Sequence, residues 1–492
     1  MKKRILCLLL VVLLGVSVLV LAACNKNPLD KVAKNADNYT IVCAYDDEAK
    51  ILTAVQTVET VNRSDNALTA IKFHLYANAY RQDAKTPVVP VGYNTTAYLN
   101  GPSFGDITVD SVKVDGKSVA FTIEGEDADI LNVPLAAEWY PNDKATVEIT
   151  YSIQLANIRH RLGWTDNTVN FGNFYPVLCV IQNGKYLESP YYNVGDPYVT
   201  DVANYDVTFK IDENYIVAAT GNLVETQKEG GTATYNYKAK AVRDFAIVAS
   251  RNFKVTSQNV DGVQINYYYY NDADSEASLA TAVGSYKFYN KNVGAYPYDQ
   301  LSVCETEFCF GGMEYPQLVM VTSGGNAYLD AIAHEVAHQW FYGLVGNNQI
   351  DDAWMDEGLA EFLTYLYLDD SGQFPLGESA KANLKTYTTY VDVLNNYYTD
   401  VDISFRSLPQ YRNDNEYVVM TYIKGCLLFN TLYDTMGKTK FLKALSAYFD
   451  EAEFTVAPPS EMIQCFEKVG GAEIATIFHK FIEGKEILSK LN

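Results

Sequence analysis

Residues 333–362 read AHEVAHQWFYGLVGNNQIDDAWMDEGLAEF, and no other stretch constrains the chain as tightly. His334 and His338 stand four residues apart, so on a helix both imidazoles leave one face. Glu335 leaves the same helix about 100° from His334, close enough to reach a water beside the histidines but unable to share a metal with them. Glu357 follows nineteen residues after His338, in a second helical pattern. Two histidines and one carboxylate fill three of zinc's four positions, which is the ligand set of a catalytic rather than a structural site. The chain holds only 5 histidines in 492 residues. His-acid-x-x-His would arise about 0.006 times by chance in such a composition, so coincidence explains it poorly. An amphipathic core helix with two hydrogen-bonded histidines is the plainer alternative, and it leaves Glu357 without a role.

A chain of this length outgrows one core, so two domains or more are expected. The net charge of −22 argues against nucleic acid as a partner, because phosphate would be repelled. The chain opens MKKRILCLLLVVLLGVSVLVLAAC. Lys2, Lys3 and Arg4 followed by an apolar run to Ala23 form an export signal, residues 1–23, to be set aside from fold reasoning. Leu21-Ala22-Ala23-Cys24 resembles the bacterial lipobox, which implies lipidation at Cys24 and a membrane anchor; an uncleaved anchor helix is the alternative. Residues 24–38 are polar and aperiodic and read as a tether. The six remaining cysteines show no C-x-x-C spacing. Free, buried thiols are expected for most of them, although Cys304 and Cys309 could pair across a hairpin.

From Tyr39 the chain is strand-like. Val147, Ile149, Tyr151, Ile153 and Leu155 alternate with polar residues, as do Tyr205, Val207, Phe209 and Ile211. Asn142-Asp143, Asn183-Gly184 and Gly230-Gly231 supply turns, so residues 39–254 are expected to form one β domain of antiparallel strands. Beyond about Val255 the period becomes helical, near 276–293, 327–343, 355–368, 378–397, 415–435, 438–450, 460–469 and 472–482. A short strand-like piece, Leu318 to Thr322, lies among them. Ser460 after Pro458-Pro459 looks like an N-cap, and Gly470-Gly471 a stop. Residues 255–492 therefore read as a mostly helical domain with a small sheet and the histidine helix at its centre.

Peptide hydrolysis at neutral pH needs a strong nucleophile, and zinc supplies one by lowering the pKa of water from about 15.7 toward 7 while polarising the carbonyl. Glu335 would take the water's proton and pass it to the leaving amine. Glu361, one turn after Glu357, would either orient a zinc imidazole or lie exposed.

HEVAH, WMDEGLAEF nineteen residues on, and GGMEYP upstream together resemble the aminopeptidase N family of zinc metallopeptidases (gluzincins). The resemblance runs over nearly the whole exported chain and is strongest from Gly311 to Phe362 and at Tyr422-Ile423-Lys424-Gly425. It implies a β-rich, saddle-like N-terminal domain followed by an α-rich, thermolysin-like catalytic domain holding one Zn2+ per chain on His334, His338 and Glu357. It implies that Tyr422 stabilises the oxyanion of the tetrahedral intermediate. It also implies that Gly311, Gly312, Met313 and Glu314 border the cleft, with Glu314 binding the free α-amine of a peptide. Two departures stand out. Gly312 replaces an alanine, a mild change, and Tyr315 replaces an asparagine, which unsettles the geometry of the amine site. A further acidic or amide group from the N-terminal domain is expected between Asn173-Phe174-Tyr175-Pro176 and Gly195-Asp196-Pro197. A helical C-terminal domain that often closes the family's cleft is not expected here.

The first expectation is thus a membrane-anchored, extracytoplasmic aminopeptidase. An endopeptidase with an open cleft is the second. A surface lipoprotein that binds peptides without turnover is the third, and it would have no use for Glu335 and Tyr422.

Overall fold

The computed structural model describes residues 28–322, 328–398, 401–485 and Leu488. The export segment and Cys24 lie outside the described residues. Among the described residues no helix is long and apolar enough to cross a membrane.

The β-rich first half is built on an eight-stranded sheet. In spatial order its strands are Asn222–Glu229, Thr232–Val242, Ala203–Asp212, Asp37–Asp46, Ile51–Val61, Lys144–Gln154, Asp106–Val114 and Lys117–Val119. Only Asp37–Asp46 and Ala203–Asp212 run parallel, with Tyr39 opposite Tyr205. Along Ile51–Val61 and Lys144–Gln154 every second side chain is buried, as one covered face requires. Two four-stranded sheets pack with it. The three expected turns sit where φ is positive, at Asn142 (69°), Asn183 (53°) and Gly184 (73°), and Gly230 (59°) and Gly231 (84°).

The second half opens on a sheet as well. Lys254–Val260, Val263–Tyr269, Gln300–Thr306, Leu318–Thr322 and Gly312–Met313 form five strands in that order, with Gly312–Met313 at the edge. Helices Ser275–Asn292, Tyr328–Ala337, Glu357–Asp370, Leu376–Tyr397, Lys424–Met436, Lys438–Ala452, Pro459–Gly470 and Ala472–Ile482 complete it. Arg243 ties the halves together. Its buried guanidinium donates to the carbonyls of Thr200, Tyr342, Leu344 and Thr455, and a side chain at Gly346 would collide with it.

Several expectations need correction. Part of the stretch read as a tether is docked. Pro28–Ala33 is a helix with Leu29 buried and Asp30 paired to Lys240 at 3.0 Å, and the first strand begins at Asp37. Six residues are fewer than two turns, too few for a helical period to register. Ser460 does not cap its helix. Pro458 occupies the cap and Pro459 the first helical position, where proline's fixed φ suits the helix and its missing N–H costs nothing. The histidine helix is shorter than expected, ending at Ala337. The six described cysteines are all free, including Cys304 and Cys309.

Candidate active site

His334 and His338 project from the end of helix Tyr328–Ala337, whose i→i−4 bonding reaches one residue further through His338 N–H to His334 O at 3.3 Å. Glu357 opens the next long helix. His334 Nε2 and His338 Nε2 each lie 3.2 Å from Glu357 Oε2 and 3.1 Å from one another. Ligands about 2.05 Å from a tetrahedral zinc stand about 3.3 Å apart, so this triangle fits the ion. The far sides of both rings are fixed. His338 Nδ1 faces the Phe341 carbonyl at 2.9 Å and His334 Nδ1 faces Glu361 Oε2 at 3.3 Å, so each ring presents Nε2 to the shared point. Burial would raise the Glu357 carboxyl, but the two imidazoles hold it well below its usual range. Burial opposes charge on His334, yet Glu357 and Glu361 push its pKa up to about 10. A cluster that gathers positive charge against burial is chemically suited to a dication.

Glu335 is 6% exposed, and its Oε2 has no hydrogen-bond partner among the described residues. Burial pushes its pKa up to about 7, against the two imidazoles. A Cβ on Gly312 would lie 2.3 Å from Glu335 Oε1. Glycine there is therefore not a mild change from alanine: it gives the Glu335 carboxylate its place.

Glu314 is buried beside the metal ligands, and its Oε1 accepts a hydrogen bond from Gln349 Nε2 at 3.0 Å. Asp196 reaches in from the first domain. Oxygens of Asp196, Glu314 and Glu357 lie within 4.8 Å of one another, and Arg161 is ion-paired with Asp196. Burial, then the Asp196 charge, drive the Glu314 carboxyl well up. Asp196 lies inside the region expected to supply a further polar group, although no local pattern singles it out.

Gly311, Gly312 and Glu314 line the cavity, whereas Met313 turns away. Its side chain is fully buried and its Sδ accepts from Arg161 Nε at 2.9 Å. Strand alternation explains the split. Tyr315 does not disturb the amine end either. It too is buried, with its hydroxyl donating to Asn173 Oδ1 at 2.7 Å, and it crosses so close to Gly172 that a Cβ there would meet it at 2.0 Å. Tyr315 thus pins the edge strand to the first domain. Gln339, the residue after His338, holds the same segment by donating to Tyr315 O at 3.2 Å and accepting from Gln317 N–H at 2.7 Å.

Tyr422 stacks on His334, with ring centroids 5.9 Å apart and planes 17° apart. It sits in a π-turn, Val419–Ile423, set between helices Asp414–Val418 and Lys424–Met436. Gly358 and Gly425 let Lys424–Met436 press against Glu357–Asp370, since a Cβ on Gly358 would lie 2.6 Å from the Gly425 Cα. Tyr417 shares the cavity wall. Its ring meets Tyr422 edge-on at 5.8 Å, and its buried hydroxyl has no partner among the described residues.

These groups surround one cavity of about 340 Å³. Its walls carry Asp196, Glu314, Asp330, Glu335, Glu357, Glu361 and Asp414 but only one arginine, Arg161.

Residues 278–481 match the family described as Peptidase family M1 domain. Aminopeptidase N of Lactobacillus helveticus is 25% identical over 421 residues, covering 77% of this chain and 46% of that protein. Leucine aminopeptidase 2 of Yarrowia lipolytica is 24% identical over 424 residues, covering 78% of this chain and 59% of its own length. The chain spans about half the length of the curated relatives it matches. An M1 zinc metallopeptidase from Deinococcus radiodurans shares the fold, with a TM-score of 0.70 at 14% identity over 93% of this chain and 95% of that one. The likeness extends across the β-rich and helical halves alike.

Proposed function

On the premise that this chain belongs to peptidase family M1 through residues 278–481, we propose that it is a zinc aminopeptidase, releasing single residues from the free N-termini of peptides. The observation that carries the reading is the pair of buried carboxylates, Glu314 and Asp196, set beside the His334–His338–Glu357 triangle. An endopeptidase has no use for two costly buried anions at one end of its cleft, whereas a peptide's terminal ammonium compensates them.

Zinc on the three ligands supplies a nucleophile at neutral pH and polarises the scissile carbonyl. The chain's own groups do the rest. Glu314 and Asp196 hold the α-ammonium and so measure one residue from the terminus. Gly311 and Gly312 offer the free edge of a sheet, along which substrate backbone can lie without meeting side chains. Glu335 accepts a proton on its open oxygen and returns it to the departing amine. Tyr422 donates its phenol proton to the oxygen that becomes negative. A related D. radiodurans metallopeptidase of the same fold is described bound to the substrate Tyr-Ser-Ala, a free tripeptide, which agrees with this division of labour.

A peptide with a free N-terminus should be hydrolysed at least about 100-fold faster than its acetylated twin, and Glu314→Ala should erase most of that difference while the metal content stays at one zinc per chain. Equal cleavage of both peptides by the wild type would remove the exopeptidase reading and leave the open-cleft endopeptidase.

We further propose that the chain is lipidated at Cys24 and held on the outer face of a bacterial membrane, on the strength of Lys2-Lys3-Arg4, the apolar run that follows and Leu21-Ala22-Ala23-Cys24. Cells grown with a labelled fatty acid should label the wild type and not Cys24→Ala; label on both would overturn the assignment.

A further inference from the structure

We infer that the cavity selects a cationic N-terminal side chain, arginine or lysine, through Asp414. The inference rests on the aminopeptidase reading and adds to it the chemical class of residue removed. With the α-ammonium held at Glu314 and Asp196, the side chain on the same carbon enters the space beside them. Phe310 marks one wall: its ring centroid lies 5.6 Å from the guanidinium of Arg161, which is paired to Asp196. Tyr93 extends that wall, packing edge-on against Phe310 at 4.8 Å. The facing wall is a helix face, because Asp414, Tyr417 and Val418 follow the i, i+3, i+4 spacing and all line the cavity. That face adjoins the amine end too, since a Cβ on Gly195, next to Asp196, would meet the Tyr417 ring at 2.8 Å.

Asp414 is half-buried and, among the described residues, has no ion pair and no side-chain hydrogen bond. The arginines nearest in sequence are both taken by Glu416, Arg406 at 2.7 Å and Arg412 at 2.5 Å. Arg161 is neutralised by Asp196. Its carboxylate is close enough to Tyr93 to help burial raise that phenol's pKa. An entering side chain thus finds two aromatic rings and one uncompensated carboxylate. A guanidinium or ammonium group satisfies both kinds of contact, stacking on the rings and pairing with the acid. An aspartate or glutamate side chain meets only repulsion.

The test measures kcat/KM of the full zinc-loaded chain, in detergent, on arginyl, lysyl, leucyl and glutamyl fluorogenic substrates, for the wild type, Asp414→Asn and Asp414→Glu. The wild type should favour arginyl and lysyl substrates and turn glutamyl over least. In Asp414→Asn the arginyl-to-leucyl ratio should fall about tenfold or more, mainly through KM, and Asp414→Glu should keep it. A ratio that stays within about twofold in Asp414→Asn, or a wild type that prefers leucyl or glutamyl substrates, overturns the inference and leaves the aminopeptidase reading intact. Hydrolysis of none of the four overturns that reading and the inference with it.

Discussion

Replacing Glu335 by glutamine should leave zinc content unchanged and lower kcat by about 1,000-fold, the range expected when a general base is lost. Glutamine has nearly the same volume, and the space opened by Gly312 accepts an amide as readily as a carboxylate, so the fold and the metal triangle should persist. What disappears is the ability to take a proton. In the wild type Oε2 has no hydrogen-bond partner among the described residues, which leaves it free to accept. Burial pushes the carboxyl up to about 7 while the imidazoles pull it down, and a dication held on the neighbouring ligands pulls it down further. At neutral pH the group is therefore ionised, yet basic enough to work. Activity should decline as the pH falls and the carboxylate takes up its proton. Metal analysis alongside steady-state kinetics on a free-amine peptide checks the prediction. Activity of Glu335→Gln within tenfold of the wild type would remove the general-base assignment.

The metal triangle was legible because its parts are local. Four residues along a helix align two imidazoles, and Glu357 announces itself by opening the next helical pattern. Glu361 was half legible: its spacing placed it one turn from Glu357, but only the structure puts it 3.3 Å from His334 Nδ1 rather than in solvent. Asp196 was not legible as an individual residue. It meets Glu314 across 118 positions of chain, from an irregular loop with no period to read, so sequence narrowed the search to a region and no further. The first strands of the second half were hidden for other reasons. Val263, Ile265 and Tyr267 are buried in alternation, but the tyrosines that continue to Tyr270 blur the pattern. Gln300–Thr306 is buried on both faces and so carries no alternation at all. Tyr315 was misjudged because a substitution within a motif was read as a change in the cleft. The side chain instead points across the domain junction to Asn173.

Tyr422→Phe should retain zinc and substrate affinity yet lose about 100- to 1,000-fold in kcat, as when one oxyanion donor is removed. Phenylalanine keeps the ring that stacks on His334, so the loss isolates the hydroxyl. Burial, and next the Glu357 charge, hold that phenol well above its usual pKa, so it keeps the proton it must donate. Its aim depends on the π-turn. In an uninterrupted α-helix, residues five apart diverge by about 140°, and the expected helix over 415–435 would have sent Tyr417 and Tyr422 to different faces. An i→i+5 turn brings positions five apart nearly into line, so both phenols face one cavity, 5.8 Å apart. This is why Tyr417 has no separate signature in the sequence, and it supplies the control. Tyr417→Phe removes an equally buried hydroxyl from the same wall without removing the group stacked on the metal ligand, and should lower kcat far less. If both substitutions cost the same, the cavity needs phenols for its packing or polarity, and Tyr422 has no special claim on the oxyanion.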